Sequence, residues 1–165
     1  MINIQLYGAT KEDYDEYYRI RCEKSDIYWM GHLKEPDYYK LREIFLERLG
    51  LTPLDSIGNK RIYMIRNDKN SVVGFSMLSR TEYGIEIGIS LFQKEQGKGY
   101  GTQVISNIIN LLKAYNCPIY AKIRDDNVAS QSIFLRNGFE RTDNFKLVQY
   151  PEVGTIPFRM YIYRL

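Results

Sequence analysis

Seven consecutive residues, Gln96-Gly97-Lys98-Gly99-Tyr100-Gly101-Thr102, carry the strongest chemical signal in the chain. Glycine at three alternate positions opens backbone conformations closed to other residues, so successive N–H groups can converge on phosphate oxygens. A helix beginning at Gly101 or Thr102 adds unpaired N–H groups and the positive end of its dipole at the same point. A diphosphate suits this arrangement, and a plain tight turn is the alternative reading of the glycines taken alone. Lys98 either lends charge to such a ligand or is an ordinary solvated lysine. The turn lacks the Gly-Lys-Ser/Thr ending of a Walker A loop, and its GxGxG spacing is not the GxGxxG of a Rossmann site.

Two regular elements must hold this turn. Before it, Tyr83 or Gly84 to Phe92 reads as an apolar strand; after it, Val104, Ile105, Ile108, Leu111, Leu112 and Tyr115 form a helical stripe that Pro118 ends. Around this centre the chain begins with an alternating strand, Ile2 to Tyr7. A helix follows from Lys11 to Glu23, with Thr10 as its cap, acids early and bases late. Ser25 to Glu35 is an aromatic packed loop or short helix. A second helix after Asp37 presents Leu41, Ile44, Phe45 and Leu49, with Gly50 as its closure. Lys60 to Arg66 and Ser71 to Ser79 form a hairpin about the polar turn Asn67-Asp68-Lys69-Asn70. Ile119 to Ile123 is a strand, Asn127 caps a helix closed by Gly138, and the chain returns to extended patterns that end in the strand Phe158 to Tyr163. That last strand is expected either to pair across subunits or to lie covered. The order predicts one mixed α/β domain over residues 1–165, with the glycine turn joining its central strand to its central helix. Ligands gather at such junctions.

Composition narrows the function classes. The chain has 165 residues, 44% of them apolar, which suits one core. A net charge of +3, with 23 bases interleaved among 20 acids, is no nucleic-acid footprint. Cys22 and Cys117 stand far apart beside a single histidine, so neither a disulfide framework nor a metal site is expected. No membrane-length apolar run and no targeting signal is visible, and the expected compartment is the cytoplasm. Trp29 and His32 are unique in the chain, and packing is the competing reading of each.

Gln96 to Gly101 matches the Q/R-x-x-G-x-G/A acyl-CoA motif of the GNAT N-acetyltransferase superfamily. Asn127 to Phe139 resembles that family's N-x-x-S/A-x-x-L-Y-x-x-x-G-F stretch, and the element order is similar over essentially the whole chain. The resemblance implies a mostly antiparallel sheet of about seven strands flanked by about four helices. The sheet would be splayed between the strand Gly84 to Phe92 and the strand Ile119 to Ile123, with acetyl-CoA, the acyl donor, in the opening. Ile89, Ser90 and Leu91 would border pantetheine, the Leu91 N–H would serve the oxyanion, and Asn127, Ser130 and Phe134 would complete the CoA site with the glycine turn. Glu86 stands in an E-x-G-x-x-L context known in family branches and is assigned as base or water-orienting group; a glutamate that only orders the pocket is the alternative. The acceptor is expected to be a small amine, with an amino-sugar nucleotide favoured, bordered by Tyr28, Trp29 and His32. The protein is expected to be a monomer or homodimer, with no nucleic-acid or membrane partner. Phe134 stands where many members carry a tyrosine able to protonate the leaving thiolate, which leaves Tyr120 or water for that role and keeps a second reading open: an acyl-CoA-binding module without turnover.

Overall fold

The computed structural model describes residues 2–165. Alternating side chains build the first half of the sheet, from β1 (Ile4–Gly8), β2 (Lys60–Asn67), β3 (Val72–Thr81) and β4 (Gly84–Leu91), each antiparallel to the next. The second half is β5 (Ile119–Arg124) followed by the hairpin of β6 (Glu140–Tyr150) and β7 (Gly154–Tyr163). The spatial order is β1-β2-β3-β4-β5-β7-β6. The terminal strand is therefore covered on both edges, between β5 and β6, and β6 forms the sheet's border.

Among the described residues five α-helices cover the faces: α1 (Tyr14–Arg21), α2 (Lys24–Trp29), α3 (Tyr38–Leu46), α4 (Tyr100–Leu112) and α5 (Val128–Arg136). The aromatic segment after Glu23 is thus a short helix followed by a loop, one helix more than the four expected. Residues Lys11–Asp13 form a 3-10 turn before α1, where the Asp13 carboxylate accepts from the Thr10 N–H at 2.8 Å. The second predicted helix stops at Leu46, short of Gly50. Gly50 instead permits a close approach of two chain segments. A Cβ there would meet the Gly8 Cα at 2.2 Å, so the backbones cross where only glycines fit.

The stripe of α4 buries Val104, Ile105, Ile108, Ile109 and Leu112 against Ile85, Ile87, Ile119 and Ile123 of the sheet. Each such side chain contributes about 1.5–3 kcal/mol. A second core on the opposite face joins Tyr14, Tyr17 and Ile20 of α1 and Phe45 of α3 to Ile62, Met64 and Phe75. The sheet is therefore held by helices on both faces, which fixes the strand that leads into the glycine turn.

Candidate active site

Strands β4 and β5 run parallel but pair only at Ile85↔Ile119 and Glu86↔Tyr120. Beyond Glu86 they part, while β4 keeps its register with β3 as far as Leu91 and β5 keeps its register with β7 as far as Arg124. Neighbouring residues of a strand turn their N–H groups to opposite edges. The Ile85 N–H donates toward the β5 side, to the Pro118 carbonyl at 3.0 Å, and the Phe92 N–H donates to Val73 of the β3 side at 2.9 Å. By alternation, the N–H groups of Ile87, Ile89 and Leu91 face the opening. Leu91 also turns its carbonyl that way, where it accepts from the Gln96 side-chain amide at 3.2 Å.

The glycine turn sits at the open end of this split. Gly97 and Gly99 have φ of 74° and 84°, the left-handed region that glycine enters without strain. Gly99 caps α4, which starts at Tyr100, earlier than the spacing predicted, so the N–H groups of Tyr100, Gly101 and Thr102 form its first turn. Nothing lies within 4 Å of a Cβ built at Gly97, whereas one at Gly101 would meet the Ile133 Cδ1 at 2.7 Å. The three glycines thus have separate roles: two shape the turn, and the third brings α4 against α5. Lys98 pairs with Glu95 at 3.0 Å.

On α5 the Asn127 side chain accepts from the Ser130 N–H at 3.1 Å and caps the helix. Phe134 is only 2% exposed and lies edge-on to Phe139 with ring centroids 4.9 Å apart, inside the core that α4 shares.

The other face of the split is framed by charges. Glu86, Gly88 and Ser90 point toward it by strand alternation. At the closed end, the Tyr120 hydroxyl donates to Glu86 at 3.1 Å and lies 2.9 Å from Thr81 Oγ1, while Lys122 reaches from β5 to Glu86 at 3.2 Å. Burial pushes the Tyr120 phenol up to about 12. At the open end, α2 touches both parted strands. Ser90 Oγ donates to Asp26 Oδ1 at 2.7 Å, and Arg124 donates to the Tyr28 carbonyl at 2.8 Å. Between these ends Gly88 is exposed, and a Cβ there would approach nothing nearer than 3.8 Å. The result is a window over Gly88, with the Glu86–Lys122 bridge on one side and α2 on the other.

Tyr28, Trp29 and His32 all lie at this end. The Arg124 guanidinium sits 4.6 Å from the Tyr28 ring centroid and 5.2 Å from that of Trp29, and it grips Asp126 with two hydrogen bonds of 3.0 Å. Tyr28 donates to Asp126 at 2.9 Å, and that carboxyl is held low by Arg124. His32 lies beside Glu152 of the β6–β7 turn, which accepts from the Leu33 N–H at 2.6 Å. Asp26, Lys122, Arg124 and Asp126 were not expected at the site from the sequence. Only strand alternation carried a signal for two of them, since Tyr120, Lys122 and Arg124 share one face of β5. A cavity of about 400 Å³ bounded by Tyr18, Cys22, Glu23 and Phe92 borders the region without entering the split. No cluster of residues able to hold a metal ion occurs among the described residues.

The sheet thus opens between two parallel strands, with a glycine turn and a helix N-terminus at its mouth. Residues 3–140 match the family model described as the acetyltransferase (GNAT) domain, and the chain belongs to that family. It is similar to a GNAT-family acetyltransferase from Bacillus anthracis at 14% identity and a TM-score of 0.81, covering 99% of this chain and 98% of that one. It is also similar to spermidine N-acetyltransferase from Vibrio cholerae, solved with CoA and spermine, at 16% identity and a TM-score of 0.75, with 96% and 94% covered. An aminoglycoside acetyltransferase solved with coenzyme A gives 17% identity and a TM-score of 0.73, again with 96% and 94% covered. No curated protein sequence matches the chain significantly.

Proposed function

We propose that this protein is an acyl-CoA-dependent N-acetyltransferase that moves an acetyl group from acetyl-CoA to a small primary amine by direct attack in a ternary complex. The observation that carries this reading is the row of backbone donors at Ile87, Ile89 and Leu91, facing parted strands beside the glycine turn. Pantetheine lies along these donors in this reading, the diphosphate meets the N–H groups of residues 97–102, and Asn127, Ser130 and Phe134 border the far side. The Leu91 N–H is the oxyanion donor, a role that backbone groups fill without reorganising. Because Gln96 is uncharged, the diphosphate depends on N–H groups and on the helix end more than on a guanidinium.

The acceptor enters through the window over Gly88. Two solved relatives act on spermidine and on aminoglycosides, which supports a small amine as acceptor. The aromatic pair Tyr28 and Trp29 suits the face of a sugar or base and keeps an amino-sugar nucleotide as the favoured candidate. Glu86 orients water at the closed end. It stands five residues from Leu91, about 16 Å along a strand, which is beyond direct reach of a carbonyl held there. Two free cysteines suit a reducing cytoplasm. No helix among the described residues is long and apolar enough to cross a membrane. The protein works as a monomer or homodimer.

Phe134, buried and without a hydroxyl, favours the second reading of a CoA-binding module without turnover. Thiol release from acetyl-CoA, measured with polyamines, aminoglycosides, amino-sugar nucleotides and peptides, decides between the two. Amine-dependent release supports the enzyme, and tight CoA binding with no release from any amine sinks it.

A further inference from the structure

We propose that Ser90 and Asp26 form the proton relay of the acetyl transfer, an assignment that rests on the acetyltransferase reading above. Of the side chains on the window face of β4, Ser90 is the one next to Leu91, the proposed oxyanion donor, whereas Glu86 stands four residues further back at the closed end. Gly88 leaves the approach to Ser90 open along the strand. An amine that reaches a carbonyl held at Leu91 from this face meets the Ser90 hydroxyl.

Behind that hydroxyl stands a carboxylate withdrawn from water. Asp26 is 6% exposed, and its Oδ1 accepts from Ser90 Oγ at 2.7 Å. Its Oδ2 lies 3.1 Å from Arg21 Nη1, but without the alignment of a hydrogen bond. Burial raises the Asp26 carboxyl above its ordinary range, opposed by the charge of Arg21, the hydrogen bond from Ser90 and the nearby His32. The ion pair keeps the carboxylate in place, and the unaligned contact leaves it able to take a proton. A serine backed by a buried acid differs from the role of base that the resemblance of its E-x-G-x-x-L context implies for Glu86.

The step begins with the neutral amine. Its nitrogen attacks the thioester carbon, a C–N bond forms and the C–S bond breaks. The proton shed by nitrogen passes to Ser90 Oγ as the hydroxyl's own proton passes to Asp26 Oδ1. The reverse transfer through Ser90 delivers that proton to the departing thiolate, giving amide and free CoA thiol. One proton has moved from nitrogen to sulfur, and no hydroxyl at position 134 is required.

The full-length chain is assayed by thiol release with the amine that wild type turns over best, next to acetyl-CoA affinity measured by calorimetry. Ser90→Ala lowers kcat by about 10²-fold or more, with acetyl-CoA affinity changed by less than about threefold. Ser90→Thr, which restores a hydroxyl, recovers most of the lost rate, a rescue that a merely structural serine does not require. Asp26→Asn, close in size but unable to accept the proton, falls as far as Ser90→Ala. If Asp26→Asn does not fold, the two Ser90 variants decide. Wild-type turnover with Ser90→Ala within about threefold of it overturns the relay while leaving the acetyltransferase reading intact. Absence of turnover in wild type with every amine overturns the function itself, and the relay with it.

Discussion

The Tyr120 hydroxyl joins the two strands at the point where they part: it donates to Glu86 of β4 at 3.1 Å while its own strand is β5. The same oxygen lies 2.9 Å from Thr81 Oγ1, so one buried group serves three strands. Tyr120→Phe removes both bonds and leaves Glu86 to Lys122 alone. The expected loss is about 1–3 kcal/mol, because the partners keep their desolvation without their bond. Urea denaturation checks it, and an unchanged midpoint contradicts the role.

Buried phenols also set the alkaline limit of the fold. Tyr120 is pushed up to about 12 by burial, and Tyr14 and Tyr17 are raised by the same cause. An unfolded tyrosine loses its proton near pH ~10, so the native state holds these protons more tightly. Their contribution to stability is complete below about pH 10 and is lost as the pH climbs through the native values. Absorbance at alkaline pH should therefore show two groups among the 15 tyrosines: exposed ones titrating reversibly, and buried ones ionising together with unfolding. A single smooth titration with ellipticity retained contradicts this.

Two glycine substitutions separate folding from ligand binding. Gly50→Ala pushes a methyl into the Gly8 backbone, which has no rotamer to move aside, and should cost more than about 3 kcal/mol or prevent folding. Gly97→Ala has free space around it and bears only the strain of a left-handed residue, about 1–2 kcal/mol. If the turn cradles phosphates, Gly97→Ala raises the KM for acetyl-CoA in a protein that still melts cooperatively. Equal melting losses in the two variants refute the distinction.

Arg124 offers an optical test. Trp29 is the only tryptophan, and the guanidinium lies over its ring. Arg124→Lys gives up the two-point grip on Asp126 and the stacking on Tyr28, so α2 loosens from β5. Trp29 emission should shift to the red, with faster amide exchange in residues 24–29. Unaltered emission shows that α2 is held by Asp26 and Ser90 without Arg124.

The parts of this architecture written in local periodicity were legible in the sequence. The α4 stripe, the Asn127 cap and the strand before the glycine turn each declare themselves within a dozen residues, and each element forms, although α4 begins at Tyr100, ahead of the spacing, and Leu111 of the expected stripe is exposed while Ile109 is buried. What depends on distant partners was not. Gly50 looks like a helix stop until Gly8 is brought against it, and nothing beside Gly101 in the chain tells that its missing side chain also makes room for Ile133. Asp26 is one acid in an aromatic segment, and only the docking of α2 over β4 reveals that Ser90 awaits it 64 positions away. Burial against a remote strand has no periodic signature in the chain itself.

The place of β7 bears on how the molecule is made. Both borders of this strand are occupied, by β5 and by β6, yet it follows each of them in the chain. During synthesis, β5 waits with an open edge while α5, β6 and the turn beyond are produced, and it is sealed only when the residues after Gly154 leave the ribosome. Until then the strand carrying Tyr120, Lys122 and Arg124 offers unpaired amides and carbonyls to any passing segment. The half of the sheet from β1 to β4 can settle first, and the cleft is completed late, by the closing of a single hairpin.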